Sequence, residues 1–150
     1  MLDTLPSQIG FLLAALVAGL AFVKGDEPER IGAGAFLLGA FATLLVHDRG
    51  ALEGTRWGVL VVDAAFLGVC VALAWKSRRS WPVWACGFQS LVVMSHVLTL
   101  VDPRPPLAAF YAAINLAGYG VLLSIAAGAL LAWRDRESGA RAAGGVDPGH

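Results

Sequence analysis

Apolar runs alternate with short polar stretches along most of this chain. Five runs predict transmembrane helices, at about residues 8–23, 31–46, 57–75, 81–101 and 107–133. A helix that crosses a bilayer needs about 20 mostly apolar residues, and about 17–25 is the usual range. The first two runs are slightly short, which local thinning of the bilayer or snorkelling of the end residues can accommodate. We therefore predict an all-α fold, an integral membrane bundle of five transmembrane helices.

The connections between the runs contain residues that interrupt membrane helices. The first is the polar turn Lys24–Arg30, and the third is the short polar hairpin Lys76–Ser80. The fourth, Asp102–Pro106, contains three prolines and cannot continue a helix. The segment 134–150 is rich in Gly, Ala, Arg and Asp and lacks apolar periodicity. Such a composition predicts a disordered tail, which we expect in the cytoplasm.

The composition agrees with a membrane location. Hydrophobic residues make up 57% of the chain and charged residues 15%, whereas a soluble domain has about 45–50% and about 25%. A water-soluble fold of this size would leave large apolar patches exposed. The formal net charge is zero, so electrostatics does not favour a nucleic acid as partner. We expect the lipid bilayer to surround the chain.

The charges of the connections predict the orientation, because loops rich in Lys and Arg stay on the cytoplasmic side. Five spans place eight Lys and Arg residues on one side and three on the other. The eight are Lys24, Arg30, Lys76, Arg78, Arg79, Arg134, Arg136 and Arg141, and the three are Arg49, Arg56 and Arg104. This imbalance predicts an N-terminus outside and a C-terminus inside.

All five tryptophans fall within one turn of a predicted helix end. They are Trp57, Trp75, Trp81, Trp84 and Trp133. The indole is apolar with one polar N–H group, and it concentrates at membrane–water interfaces. We therefore expect these side chains at the interfaces, four of them at the inner one.

Polar and ionisable side chains inside the predicted spans are candidates for function, because they are costly in a bilayer. Asp63, His96 and Asn115 lie within roughly 8–12 Å of the outer ends of their helices, at about 1.5 Å of rise per residue. Helical spacing puts Gln89 on the face of His96, and Tyr111 on the face of Asn115. These five residues predict a polar cluster among the third, fourth and fifth helices.

Two interpretations of this cluster stay open. Asp63 and His96 could form a proton-accepting or cation-binding pair. The favoured interpretation is a hydrogen-bond network that holds the helices together.

Among His47, Asp48, His96 and Asp102, which approach the outer face, no pair has the i, i+3 or i, i+4 spacing of one helical turn. We therefore predict no metal, haem or other cofactor. Cys70 and Cys86 are expected to be free thiols.

Small residues recur at every fourth position of the fifth helix, at Gly120, Ser124 and Gly128. Small side chains allow helix backbones to approach closely in a membrane. The stripe therefore predicts a helix-packing interface. Contact with another subunit and packing within the bundle both remain possible.

Three stretches of this sequence carry a resemblance: the turn Gly25–Arg30, the segment Trp57–Asp63, and Arg78–Pro82 with His96 after it. In them the chain resembles small multi-helix inner-membrane proteins of bacteria, over most of its length except the tail. The resemblance implies a multi-pass protein of the bacterial inner membrane. It implies no established activity, and no site residue is transferred from it.

Sequence signatures of catalysis are absent: there is no nucleophile elbow, phosphate-binding glycine loop, HExxH motif or paired carboxylates. We therefore do not expect an enzyme. The first functional hypothesis is a structural or accessory subunit that acts by helix packing, in a membrane complex with other subunits or in a homo-oligomer. The alternative is a small oligomeric transporter or channel that uses the Asp, His and Asn side chains of the polar cluster.

Overall fold

The computed structural model describes residues 5–49, 52–101 and 107–144. These residues form five α-helices: α1 (Leu5–Lys24), α2 (Glu27–Arg49), α3 (Leu52–Lys76), α4 (Trp81–Val101) and α5 (Leu107–Gly144). The predicted all-α fold is confirmed. Three helices contain a segment long and apolar enough to cross a membrane, namely Trp57–Lys76, Trp81–Val101 and Ala109–Arg141. A shorter apolar segment, Ile9–Lys24, lies in α1. By their length and composition, these helices indicate a membrane protein.

The helices form a ring in the order of the sequence. Each helix packs against the next, α1 closes the ring on α5, and α2 also contacts α5. The α1–α2 and α3–α4 connections consist only of residues 25–26 and 77–80. Short connections make consecutive helices antiparallel neighbours. Both connections and the last turns of α5 consequently meet at one end of the bundle.

The interior of the ring is built largely from small side chains. Buried alanines line it on four of the helices, at Ala18, Ala33, Ala85 and Ala129 among others. Many large apolar side chains are exposed on the outside of the bundle, on all five helices. This distribution suits a bundle in lipid, where close backbone approach stabilises the interior and apolar side chains face the acyl chains.

The structure corrects the predicted disordered tail, because α5 continues as a helix through residues 134–144. Two side chains of this extension are bound to other parts of the bundle. Arg136 pairs with Asp26 at 2.8 Å, and Asp135 pairs with Arg79 at 3.5 Å. These contacts between distant parts of the sequence are invisible to a composition argument. The remainder of the predicted tail, residues 145–150, lies outside the described part of the chain.

α2 begins at Glu27 instead of about residue 31, and α3 begins at Leu52 instead of about residue 57. The first turn of α2 contains the acidic residues Glu27 and Glu29. Negative side chains stabilise the positive end of the helix dipole. The polar residues assigned to the turn therefore form the start of the helix.

Among the tryptophans, Trp81 is buried within the bundle. Trp57, Trp75 and Trp84 are exposed on the bundle surface, as interfacial residues would be, but Trp81 is only 3% exposed. Its side chain lies inside the bundle. Position near a helix end was therefore insufficient to predict where this indole points.

Candidate functional site

Asp63, Gln89 and His96 form a polar network between α3 and α4. The Nε2 atom of His96 lies 3.1 Å from Oδ2 of Asp63. Gln89 donates from Nε2 to Oδ1 of Asp63 at 3.1 Å and to its backbone carbonyl oxygen at 3.2 Å. Gln89 and His96 are two turns apart on one face of α4, so that they reach the same carboxyl group from opposite sides along the helix axis. Three of the five predicted cluster residues are thus in contact.

The other two predicted members, Tyr111 and Asn115, do not join this network. Both are exposed on the surface of α5, which corrects the prediction that they face the cluster. The contribution of α5 is Phe110, whose ring meets His96 edge-on with 5.6 Å between ring centroids. Tyr111 packs in turn against Phe110, at 5.5 Å between centroids. Residue counting predicts that Tyr111 and Asn115 lie at the height of His96 along the bundle. The rotation of α5 about its axis decides which side chain faces inward.

The network has two chemical capabilities. Each oxygen of the Asp63 carboxyl group lies 3.1 Å from a side-chain nitrogen of α4, so the carboxyl group links α3 to α4. The Asp63–His96 contact also joins two groups that can exchange a proton. Their side chains are 21% and 17% exposed, so the pair is only partly enclosed by the bundle.

The small-residue stripe of α5 lies inside the bundle. A Cβ atom added to Gly120 would lie 2.5 Å from Cδ1 of Phe88, and one added to Gly128 would overlap the indole of Trp81. Ser124 is buried and donates its hydroxyl to the carbonyl oxygen of Gly120 at 2.8 Å. The stripe therefore serves the contact of α5 with α4. Because these residues are covered within the chain, they present no surface to another subunit.

A second polar network occupies the end of the bundle where the α1–α2 and α3–α4 connections meet α5. Its members, which we call the charged end, are Lys24, Asp26, Glu29, Arg79, Trp81, Asp135 and Arg136. Residues from all five helices or their connections thus meet in one place. None of these residues was among the predicted site residues.

Glu29 is the centre of the charged end, and its side chain is completely buried. Oε1 accepts a hydrogen bond from Nε1 of Trp81 at 2.7 Å. Oε2 accepts one from the backbone N–H of Asp26 at 2.9 Å. A buried carboxyl group is stable only when its oxygens have such partners. Glu29 therefore joins the start of α2 to the start of α4.

Asp26 is the N-cap of α2, because its carbonyl oxygen accepts the first helical hydrogen bond, from Arg30 at 3.1 Å. Its carboxylate binds Arg79 at 2.6 Å through one oxygen and Arg136 at 2.8 Å through the other. Arg136 also donates to the backbone carbonyl oxygen of Lys24. One carboxylate thus connects the α1–α2 turn with both the α3–α4 hairpin and the α5 extension.

Trp81 fills the space between α2 and α5. A Cβ atom on Gly32 would lie 2.6 Å from Cη2 of Trp81. Gly128 faces the other edge of the indole. The two glycines therefore make room for the ring, and the hydrogen bond to Glu29 fixes its orientation.

One local signal in the sequence could have identified part of the charged end. Asp26 and Glu29 have the D-x-x-E spacing of a capping box before an apolar run. In a capping box the acidic side chain at the third helical position binds the backbone N–H of the N-cap, as Glu29 does. The arginine partners of Asp26 come from positions 79 and 136, which no local pattern predicts.

Metal-ligating side chains are not grouped in the part of the chain that the structure describes. No three His, Cys, Asp or Glu residues lie there close enough together to hold a metal ion. Cys70 is buried and Cys86 half-buried, and both are free thiols.

Comparison of the chain with models of protein families, with curated proteins and with solved structures finds no match.

Proposed function

We propose that this chain is a multi-pass protein of the bacterial inner membrane and acts as a structural or accessory subunit. In this proposal all five helices cross the bilayer, with the N-terminus outside and the C-terminus in the cytoplasm. The subunit acts by helix packing, in a complex with other membrane proteins or in a homo-oligomer.

The charge distribution supports the orientation. Arg79 lies in the α3–α4 connection and Arg136 in the last turns of α5, far apart in sequence, yet both bind Asp26 at the charged end. The Lys and Arg residues counted for the predicted cytoplasmic side lie in or beside the α1–α2 and α3–α4 connections or in the last turns of α5. A cytoplasmic charged end satisfies the positive-inside rule. A reporter enzyme that is active only in the cytoplasm should be active when it is fused to the C-terminus. An inactive fusion would contradict the proposed orientation.

The observation that supports the structural role is that both carboxyl oxygens of Asp63 already have partners within the chain. Both carboxyl oxygens have partners on α4, in Gln89 and His96. Polar contacts of this kind hold membrane helices together. The apolar exterior is then the surface left for lipids and for neighbouring transmembrane helices.

Extraction in a mild detergent tests the accessory role. We expect the protein to elute in size-exclusion chromatography with other subunits or as a homo-oligomer, with the composition given by mass spectrometry. Recovery only as a lone monomer would contradict the proposal.

Gly68 and Gly87 offer variants for mapping the contact, since both are exposed and an added Cβ meets no atom within 4 Å. Leucine at either position should disrupt a neighbouring helix without disturbing the bundle.

A second candidate function, proton-coupled transport by an oligomer, is favoured by the 3.1 Å contact between Asp63 and His96 and its partial exposure. In liposomes, a pH-dependent flux should be lost in Asp63→Asn and in His96→Ala. Tyr111→Phe is the matched control, because this side chain is exposed and lies outside the network. If all three variants kept the flux of the wild type, only the structural role would remain for the Asp63 network.

A further inference from the structure

The α3–α4 hairpin carries three cationic residues with different environments. Arg79 turns into the bundle, where it binds Asp26 at 2.6 Å and Asp135 at 3.5 Å. Lys76 and Arg78 are exposed. No ion pair joins either of them to another residue in the described ranges 5–49, 52–101 and 107–144.

Two exposed tryptophans flank these cations along the chain. Trp75 precedes Lys76 and is 92% exposed, and Trp84 lies in the first turn of α4 and is 66% exposed. Exposed indoles on a membrane protein settle at the level of the lipid headgroups. Lys76 is adjacent to one of them, and Arg78 is between them in sequence. Both cations are therefore expected at the depth of the lipid phosphates.

We propose that the exposed cations of this hairpin, Lys76 and Arg78, bind the headgroup of an anionic phospholipid beside the exposed indoles of Trp75 and Trp84. The proposal relies on the membrane location in the proposed function, but not on the accessory role. Ammonium and guanidinium groups bind phosphate by charge-assisted hydrogen bonds. The indoles favour a lipid over a soluble phosphate, since they provide contacts for the glycerol backbone and the start of the acyl chains.

The size of the effect follows from the two charges. Each Lys or Arg near a membrane surface strengthens the attraction of anionic lipid by roughly fivefold, so two cations should give a preference of roughly 30-fold over a zwitterionic lipid. The acidic residues Asp26 and Asp135 oppose this effect little, because both are paired with arginines of the bundle.

Native mass spectrometry of the full chain, released from nanodiscs of phosphatidylcholine with a minor fraction of phosphatidylglycerol, tests the site. We expect bound phosphatidylglycerol to be enriched in the wild type. In the double variant Lys76→Gln/Arg78→Gln the enrichment should fall at least tenfold. Both substitutions are at exposed positions, and circular dichroism should show an unchanged helix content.

The matched control is Arg134→Gln/Arg141→Gln, which removes two other exposed cations from the same end. The control should keep the enrichment. An equal loss in both variants would indicate a diffuse positive field and would overturn the proposal of a local site. Retained enrichment in the hairpin variant would overturn it as well. Displacement of the lipid by millimolar inorganic phosphate would assign the site to free phosphate instead.

Failure of the proposed function would give a different result. A chain that did not insert into nanodiscs at all would contradict the membrane location. A chain that inserted normally but showed no preference for phosphatidylglycerol would contradict only the lipid site.

Discussion

Trp81→Phe is the substitution that tests the charged end most directly. The phenyl ring still occupies much of the space between α2 and α5, but the N–H group that donates to Glu29 at 2.7 Å is lost. Oε1 of a completely buried side chain would then lack its partner. Leaving a buried acceptor without a partner costs about 1–3 kcal/mol. Interhelical hydrogen bonds in membranes contribute less, about 0.6 kcal/mol on average and about 1.7 at most.

We therefore expect Trp81→Phe to lower the free energy of unfolding by about 1–2 kcal/mol through the lost hydrogen bond, with a further loss from the smaller ring. The measurement is reversible unfolding in mixed micelles, with sodium dodecyl sulfate as denaturant and far-ultraviolet circular dichroism as the signal. A double-mutant cycle with Glu29→Met separates the two contributions, because the variant lacking the carboxyl group retains only the packing loss.

The control is Trp84→Phe, which removes the same N–H group from an indole that is exposed. This variant should unfold within about 0.5 kcal/mol of the wild type, as surface substitutions usually do. If Trp81→Phe and Trp84→Phe have equal effects, or the cycle shows no coupling with Glu29, the role assigned to the buried hydrogen bond is wrong.

Two further predictions concern α5. Gly120→Ala should lower the free energy of unfolding by about 1–3 kcal/mol, because the new methyl group would clash with the ring of Phe88 on α4. Gly118→Ala, where an added Cβ meets no atom within 4 Å, should be neutral or stabilising in the same unfolding assay. Arg136→Gln should free the α5 extension from Asp26 and increase amide hydrogen exchange there, measured by mass spectrometry, as should raising the salt concentration. Equal exchange in Arg136→Gln and in the exposed control Arg134→Gln would refute the tether.

Hydropathy alone predicted the class of protein and the approximate position of every helix. Both depend on the local sequence, since about 20 apolar residues between polar breaks are enough to indicate a membrane helix. The bounds of α4 agree with the prediction to the residue. The heights of Asp63 and His96 on antiparallel helices also follow from residue counting, and the two side chains are in contact.

The rotation of each helix about its axis could not be predicted from the sequence. Asn115 was expected at the level of the Asp63 network but is exposed on α5, whereas Phe110 contacts His96. In lipid the outside of a bundle is as apolar as the inside, so the hydrophobic pattern does not distinguish a buried face from an exposed one. From the sequence, the small-residue stripe at Gly120 could pack against another subunit or against a helix of the same bundle. Only the packed structure assigns it to α4.

The charged end shows the same division between local and tertiary information. The D-x-x-E spacing of Asp26 and Glu29 is local, and it predicts the beginning of α2. The binding of Asp26 by Arg79 and Arg136, and with it the helical state of residues 134–144, depends on segments that meet only when the ring of helices closes. The sequence indicated which segments are apolar enough to cross a membrane. Tertiary packing decided which of the polar residues meet, because contact depends on helix rotation and ring closure.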